Sequence, residues 1–154
     1  MIQITKIVGR PNDGQNILKL PALIENACFR DPWGMDSIAD TLTMQNTSLY
    51  LIEKEGRPIS YCLFSSVLDE AELLRIAVLP EERRRGFADL MFKMLFAEWS
   101  VRGIRKIFLE VRRSNVPASA LYEKNGFQPV FIRENYYGDG EDAVVYVCEP
   151  NDKE

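Results

Sequence analysis

The sequence predicts a mixed α/β fold in a single domain, residues 1–154, with a mostly antiparallel sheet of about seven strands flanked by about four helices. Two observations carry this. Between Ser48 and Leu79, three apolar stretches are joined by connections too short for parallel crossovers, which makes an antiparallel meander. From Gly86 onward the apolar period lengthens, and the chain reads helix, strand, helix and then two closing strands to Glu149.

Taken in order, Ile2 to Val8 reads as a first strand with Ile2, Ile4 and Ile7 as apolar positions, followed by a turn cluster from Gly9 to Gly14. Ile17, Leu18, Leu20, Leu23, Ile24 and Ala27 recur at helical spacing, and Pro21 is expected to split that segment. Asp36 is placed to cap a short helix to about Gln45, with Ile38, Leu42 and Met35 turned inward. Ser48 to Glu53 and Ile59 to Leu68 are strands around the hairpin turn Lys54-Glu55-Gly56-Arg57. Asp69-Glu70 offers the next turn, and Ala71 to Leu79 is a third strand ending at Pro80.

Phe87, Leu90, Met91, Met94 and Leu95 sit at i, i+3, i+4, i+7 and i+8, marking a helix from Gly86 to Val101 that ends at Gly103. Lys106 to Val111 is a strand. Asn115 is a good N-cap for a helix with Pro117 in its first turn, stopping at Asn125-Gly126. Gln128 to Tyr137 and Ala143 to Glu149 are closing strands around Gly138-Asp139-Gly140.

Composition excludes several classes. The net charge of -4 gives no footprint for direct nucleic-acid or anionic membrane binding, and no apolar run approaches membrane-spanning length. Cys28, Cys62 and Cys148 are odd in number and far apart, and there is no histidine, so neither a disulfide framework nor a metal site is expected. Met1 to Gly14 carries no apolar core of secretory type, and the expectation is a reduced, cytoplasmic compartment.

The sharpest local feature is Arg83-Arg84-Arg85-Gly86-Phe87-Ala88, after a strand and at the start of a helix. A helix N-terminus offers unpaired N–H groups and about half a positive charge. Gly86 lets an anion approach the main chain, and the arginines add charge, so the segment reads as a pyrophosphate cradle. A Walker loop is excluded because no Gly-Lys-Ser/Thr follows; a dinucleotide fingerprint lacks its third glycine and acidic partner. A solvated basic turn is the plain alternative.

The string from Arg83 through Gly86 to Ala88, in its strand-to-helix setting, resembles the signature of the GNAT acetyltransferases. Arg75-Ile76-Ala77-Val78-Leu79-Pro80 resembles that family's strand whose backbone pairs with the pantetheine arm. Leu109-Glu110-Val111-Arg112 and the stretch from Asn115 to Phe127 are similar to its next strand and helix. Asp31-Pro32-Trp33, Asn135-Tyr136-Tyr137 and Glu141-Asp142-Ala143 resemble the ribosomal-protein alanine acetyltransferase subgroup. The likeness covers roughly Ile24 to Val147; Ala88 stands where many members carry glycine.

The resemblance implies transfer of acetyl from acetyl-CoA to a primary amine, by direct attack and without a metal. The preferred acceptor would be the N-terminal α-amine of a ribosomal protein, with a lysine side chain, a small-molecule amine or a silent acyl-CoA-binding module as alternatives. Cofactor contacts would come from Ile76, Ala77, Val78, the segment Arg83 to Ala88, Asn115 and Tyr122, with an N–H at or near Val78 steadying the oxyanion. No cysteine is expected in this site, so no acetyl-enzyme is expected.

Glu110 is the expected general base. Ile107, Leu109 and Val111 alternate away from it, and a carboxylate set in an apolar strand suits that task. Its alternative is an ion pair with a neighbour such as Arg112. Tyr122 is the expected acid for the departing thiolate, or else a tyrosine packed against Phe127. Asn115 caps its helix and touches the cofactor, or only caps. Trp33, Tyr136 and Tyr137 would line the acceptor groove, with core packing as the alternative for Trp33.

Overall fold

The computed structural model describes residues 1–12 and 16–150. Part of the turn expected from Gly9 to Gly14 lies outside the described residues. The strands are β1 (Ile2–Val8), β2 (Thr47–Lys54), β3 (Arg57–Val67), β4 (Glu70–Val78), β5 (Lys106–Arg112), β6 (Gln128–Arg133) and β7 (Ala143–Cys148). The helices are α1 (Lys19–Cys28), α2 (Met35–Leu42), α3 (Phe87–Val101) and α4 (Val116–Lys124), with single 3-10 turns at Asn16–Leu18 and Pro80–Glu82. Hydrogen-bonded neighbours run β1-β2-β3-β4-β5-β7-β6, seven strands in one sheet, as the sequence predicts.

Contacts group the chain into two compact units. Met1–Ser65 with Leu74–Met94 form the first, and Ser66–Leu73 with the chain from Leu95 onward form the second. In the first unit β1, β2 and β3 are antiparallel, and the hairpin turns on Glu55 and Gly56, both at positive φ (52° and 76°). That pairing of left-handed residues matches the strands' own twist. Leu18, Ile24, Ile38, Leu42, Leu49, Leu51, Tyr61 and Leu63 form its core, so α1 and α2 are held by apolar burial rather than by capping.

Several local expectations are corrected. Pro21 does not split its helix; it sits in the first turn of α1, where an absent N–H costs nothing. The N-cap of α2 is Gly34, with Asp36 inside the first turn, where its charge still meets the helix dipole, and α2 stops at Leu42. The turn after β3 falls on Leu68-Asp69, one residue early, with Leu68 at φ 55°. Ile2 and Ile4 are exposed on the edge strand β1.

In the second unit β5 runs parallel to β4 over three pairs, Glu70↔Lys106, Ala71↔Ile107 and Glu72↔Phe108. β5–β7 and β7–β6 are antiparallel. β5 alternates strictly between buried Ile107, Leu109 and Val111 and partly buried Phe108, Glu110 and Arg112. β6 ends at Arg133 instead of running to Tyr137, because Asn135 takes a left-handed φ of 51° that no strand accepts.

Candidate active site

In the first unit, β4 delivers buried Ala77 and Val78 to the turn that opens α3, and Ser60 Oγ donates to Ala77 O at 2.8 Å. Gly86 stands at φ +86° and its carbonyl accepts the Leu90 N–H at 2.9 Å, so the helix begins there. The N–H groups of Phe87 and Ala88 are therefore first-turn donors, and the side of Gly86 where a Cβ would sit is open. This fits an anionic ligand.

The arginines divide. Arg83 Nε donates to Val78 O at 3.1 Å, and Arg85 pairs with Glu82 at 3.4 Å. Among the described residues Arg84, at φ 64°, makes no hydrogen bond or ion pair, so its charge faces solvent. Buried Glu82 also takes Arg57 at 2.9 Å and Lys54 at 3.5 Å, fixing the turn before the cradle. The sequence reading missed Glu82; its only signal was a carboxylate between Pro80 and three arginines.

One expectation is overturned here. A cysteine does reach this segment: Cys28 Sγ donates to Val78 O at 3.3 Å. Burial pushes the thiol's pKa up, against the opposing pull of Arg83, and so disfavours the thiolate that a nucleophile needs.

Trp33 is partly buried at the loop after α1. Its backbone N–H donates to Glu25 Oε1 at 2.8 Å, and Arg75 Cζ lies 4.9 Å from its ring centroid.

In the second unit, Glu110 pairs with Arg133 Nε at 3.2 Å rather than with Arg112, and the Arg133 guanidinium carbon also lies 5.7 Å from the Tyr136 ring centroid. The carboxylate of Glu110, with lesser burial, pushes the Tyr136 phenol up. Glu72 shares the face: it pairs opposite Phe108, and its pKa is raised by burial and then by the charge of Glu110. Arg112 is instead held by Asp139 and Glu141, at 2.9 and 3.0 Å, and stacks 4.2 Å from the Tyr137 centroid. Tyr136 and Tyr137 meet edge-on at 5.2 Å. Glu110, Tyr136 and Tyr137 are thus brought together, by a loop and not by the strand expected.

The opposite face holds Tyr122. Tyr146 pairs across from Leu109, which points away from Glu110, and the Tyr122 ring lies 6.0 Å from that of Tyr146 and 6.1 Å from Phe127. Tyr122 does pack on Phe127, and it is buried. Asn115 is the N-cap of α4, its side chain accepting from Ala118 N at 3.2 Å. Among the described residues no cluster of His, Cys, Asp and Glu could hold a metal, and no helix is long and apolar enough to cross a membrane.

The expected signature therefore falls where a strand end meets a helix start, and a family model described as acetyltransferase (GNAT) family matches residues 22–127. The chain belongs to the GNAT family of acetyltransferases. Among GNAT relatives, the [ribosomal protein bS18]-alanine N-acetyltransferase of Haemophilus influenzae is 38% identical over 129 residues, 81% of this chain and 87% of that one. The crystal structure of the ribosomal-protein-S18-alanine N-acetyltransferase from Escherichia coli matches with a TM-score of 0.83 and 32% identity, covering 97% of this chain and 94% of its own. A GNAT acetyltransferase from Elizabethkingia anophelis, solved with acetyl-CoA bound, shares the fold at a TM-score of 0.73 and 20% identity, over 96% and 97% of the two chains.

Proposed function

We propose that this GNAT chain, acting as one domain over residues 1–154, transfers acetyl from acetyl-CoA to the N-terminal α-amine of a protein, a ribosomal protein beginning with a small residue such as alanine. The observation that carries the acceptor is the 38% identity, over four fifths of the chain, to an enzyme named for alanine on ribosomal protein bS18. An α-amine, with a pKa of about 8, also sheds its proton far more readily than a lysine at about 10.4. Ribosomal proteins are made in the cytoplasm, and we place the activity there.

Acetyl-CoA supplies the acetyl thioester. Its pyrophosphate is assigned to the first-turn N–H groups of Phe87 and Ala88 at Gly86, with Arg84 and Arg85 at the rim; Arg83 acts through the Val78 carbonyl. Ile76, Ala77 and Val78 offer strand backbone to the pantetheine arm, and Asn115 contributes from the cap of α4. Glu110 takes the amine proton on its face, where Glu72 adds negative charge for an incoming ammonium. Tyr122 returns a proton to the thiolate from the other face. Trp33, Tyr136 and Tyr137 grip the acceptor peptide.

The test is turnover, read by release of free thiol, on matched peptides: one with a free N-terminal alanine, the other N-terminally blocked with a single lysine. The expected outcome is a kcat/KM at least tenfold higher on the free α-amine. Equal values would overturn the acceptor assignment and leave the family intact.

A further inference from the structure

Glu25 sits near the C-terminal end of α1, and its side chain is fully buried. A carboxylate there needs its charge and its lone pairs met. Arg75 meets the charge in a fork, Nε to Oε2 at 2.9 Å and Nη2 to Oε1 at 2.6 Å. The hydroxyl of buried Tyr61 and the backbone N–H of Trp33 supply two further donors, the latter at 2.8 Å. Two carboxylate oxygens offer about four lone-pair sites, so Glu25 has none left for a substrate proton. It is a structural joint and not a second base.

What the joint holds is aromatic. The Arg75 guanidinium carbon lies 4.0 Å from the Phe29 ring centroid and 4.9 Å from that of Trp33. Glu25 thus fixes the Trp33 main chain while Arg75 fixes two rings, one at each end of the segment from Phe29 to Trp33. The same strand continues from Arg75 into Ile76, Ala77 and Val78, and Cys28, the residue before Phe29, touches the Val78 carbonyl at 3.3 Å. The aromatic segment is therefore anchored to the stretch of β4 assigned above to the acyl donor, where an acceptor amine has to arrive.

We propose that Glu25 and Arg75 are a positioning pair that holds Phe29 and Trp33 as a wall for the acceptor peptide, setting acceptor affinity and not acetyl-CoA affinity. The proposal rests on the transferase reading above. An ammonium at position 75 keeps the charge but loses both the fork and the planar face the rings stack on.

The test compares wild type with Arg75→Lys and with the double variant Glu25→Gln, Arg75→Gln, which removes both charges together so that no lone buried charge remains. Each substrate is varied separately, on whichever amine the wild type turns over. The expected result is an acceptor KM raised about tenfold or more, with acetyl-CoA KM and kcat within about twofold. Equal changes in both KM values, or a fall in kcat alone, would overturn it.

A measurement on the wild type stands apart from folding of the variants. Trp33 is partly buried and Trp99 fully buried, so acrylamide quenching reports mainly on Trp33. Saturating acceptor peptide should protect the emission and acetyl-CoA alone should not; no protection by the acceptor overturns the wall. If instead the preferred amine proves to be lysine, the acceptor assignment fails while the positioning pair is still read on that amine.

Discussion

Arg83 Nε donates to the carbonyl of Val78 at 3.1 Å, tying the turn after β4 back to the strand end. An arginine expected to face phosphate is thereby committed to backbone, and the attraction for an anion falls to the start of α3. Its neighbours share the division: Arg85 is engaged by Glu82, and Arg84 faces solvent.

Gly86 then becomes the position to probe. Its φ of +86° strains most side chains, but asparagine and aspartate tolerate such backbone best after glycine and are nearly the same size. Gly86→Asn therefore controls for strain, and Gly86→Asp adds only charge. Two like charges about 5 Å apart at an effective dielectric near 20 repel by about 3 kcal/mol, roughly a hundredfold in affinity. Calorimetric titration should find acetyl-CoA binding weaker by about that factor in the aspartate variant than in the asparagine variant. Matching affinities would remove the cradle from this segment.

The loop carrying Tyr136 and Tyr137 should loosen in acid. Glu141 accepts from the Ser114 N–H at 2.9 Å and from Arg112 at 3.0 Å, and Asp142 accepts from the Asn135 N–H at 3.0 Å and from Arg113 at 3.1 Å. Hydrogen bonds to Ser114 and Arg112 lower the Glu141 pKa; the bonds from Asn135 and Arg113 lower that of Asp142. Groups with lowered folded pKa values contribute fully above the ordinary carboxylate range, near pH 4, and lose the contribution as pH falls through the folded values. Amide exchange at Ser114 and Asn135 should be protected at pH 6 and should lose its protection, after correction for the intrinsic rate, only below about pH 4. Protection lost already between pH 6 and 5 would exclude these carboxylates as the clasp.

Asn115 has two assigned tasks that can be separated. Removing the cap with Asn115→Ala should cost about 1 kcal/mol, or about 2–4 °C in Tm for a chain of this size. Asn115→Ser keeps a capping oxygen and should restore Tm. A contact to acetyl-CoA would show as weaker cofactor binding in the serine variant at unchanged Tm. Full affinity in the serine variant leaves Asn115 as a cap only.

The parts of this site legible in the sequence are those set by local period. Alternation in Ile107 to Val111 placed Glu110 opposite the buried aliphatics, and the Asn115–Pro117 pair marked the start of α4. Its partners were not legible, because they come from non-local pairing. β6 lies beyond β7, out of chain order, so Arg133 reaches Glu110 while Arg112, nearer in sequence, turns to Asp139 and Glu141. Glu25 carries no local signal in the sequence; only the approach of Arg75 and Tyr61, 50 and 36 residues away, makes it a joint. Tyr136 and Tyr137 read as strand because aromatic residues favour strands, and the left-handed Asn135 overrode that preference.

The roles of Glu110 and Tyr122 are tested by their pH profiles. The two lie on opposite faces of the β5–β7 pair, so one variant leaves the other's surroundings intact. Glu110→Gln leaves Arg133 unpaired, but Arg133 is about half exposed and keeps its water, so stability should barely change. Tyr122→Phe keeps the ring and with it the contacts to Phe127 and Tyr146. If Tyr122 supplies the proton to the thiolate, Tyr122→Phe should lower kcat by about 10²-fold at every pH, with acetyl-CoA affinity unchanged. If Glu110 removes the amine proton, Glu110→Gln should lose most at low pH, where the amine is protonated. Raising the pH toward the amine's own pKa, about 8, lets solvent do that work and should recover part of the rate. The two variants then differ in shape as well as size: one is rescued by base, the other is not. A purely packing role for both residues predicts that these two variants, which keep the side chains' shape and leave stability nearly unchanged, show profiles parallel to wild type with no large loss of kcat. Measured kcat against pH beside Tm for each variant decides between the two accounts.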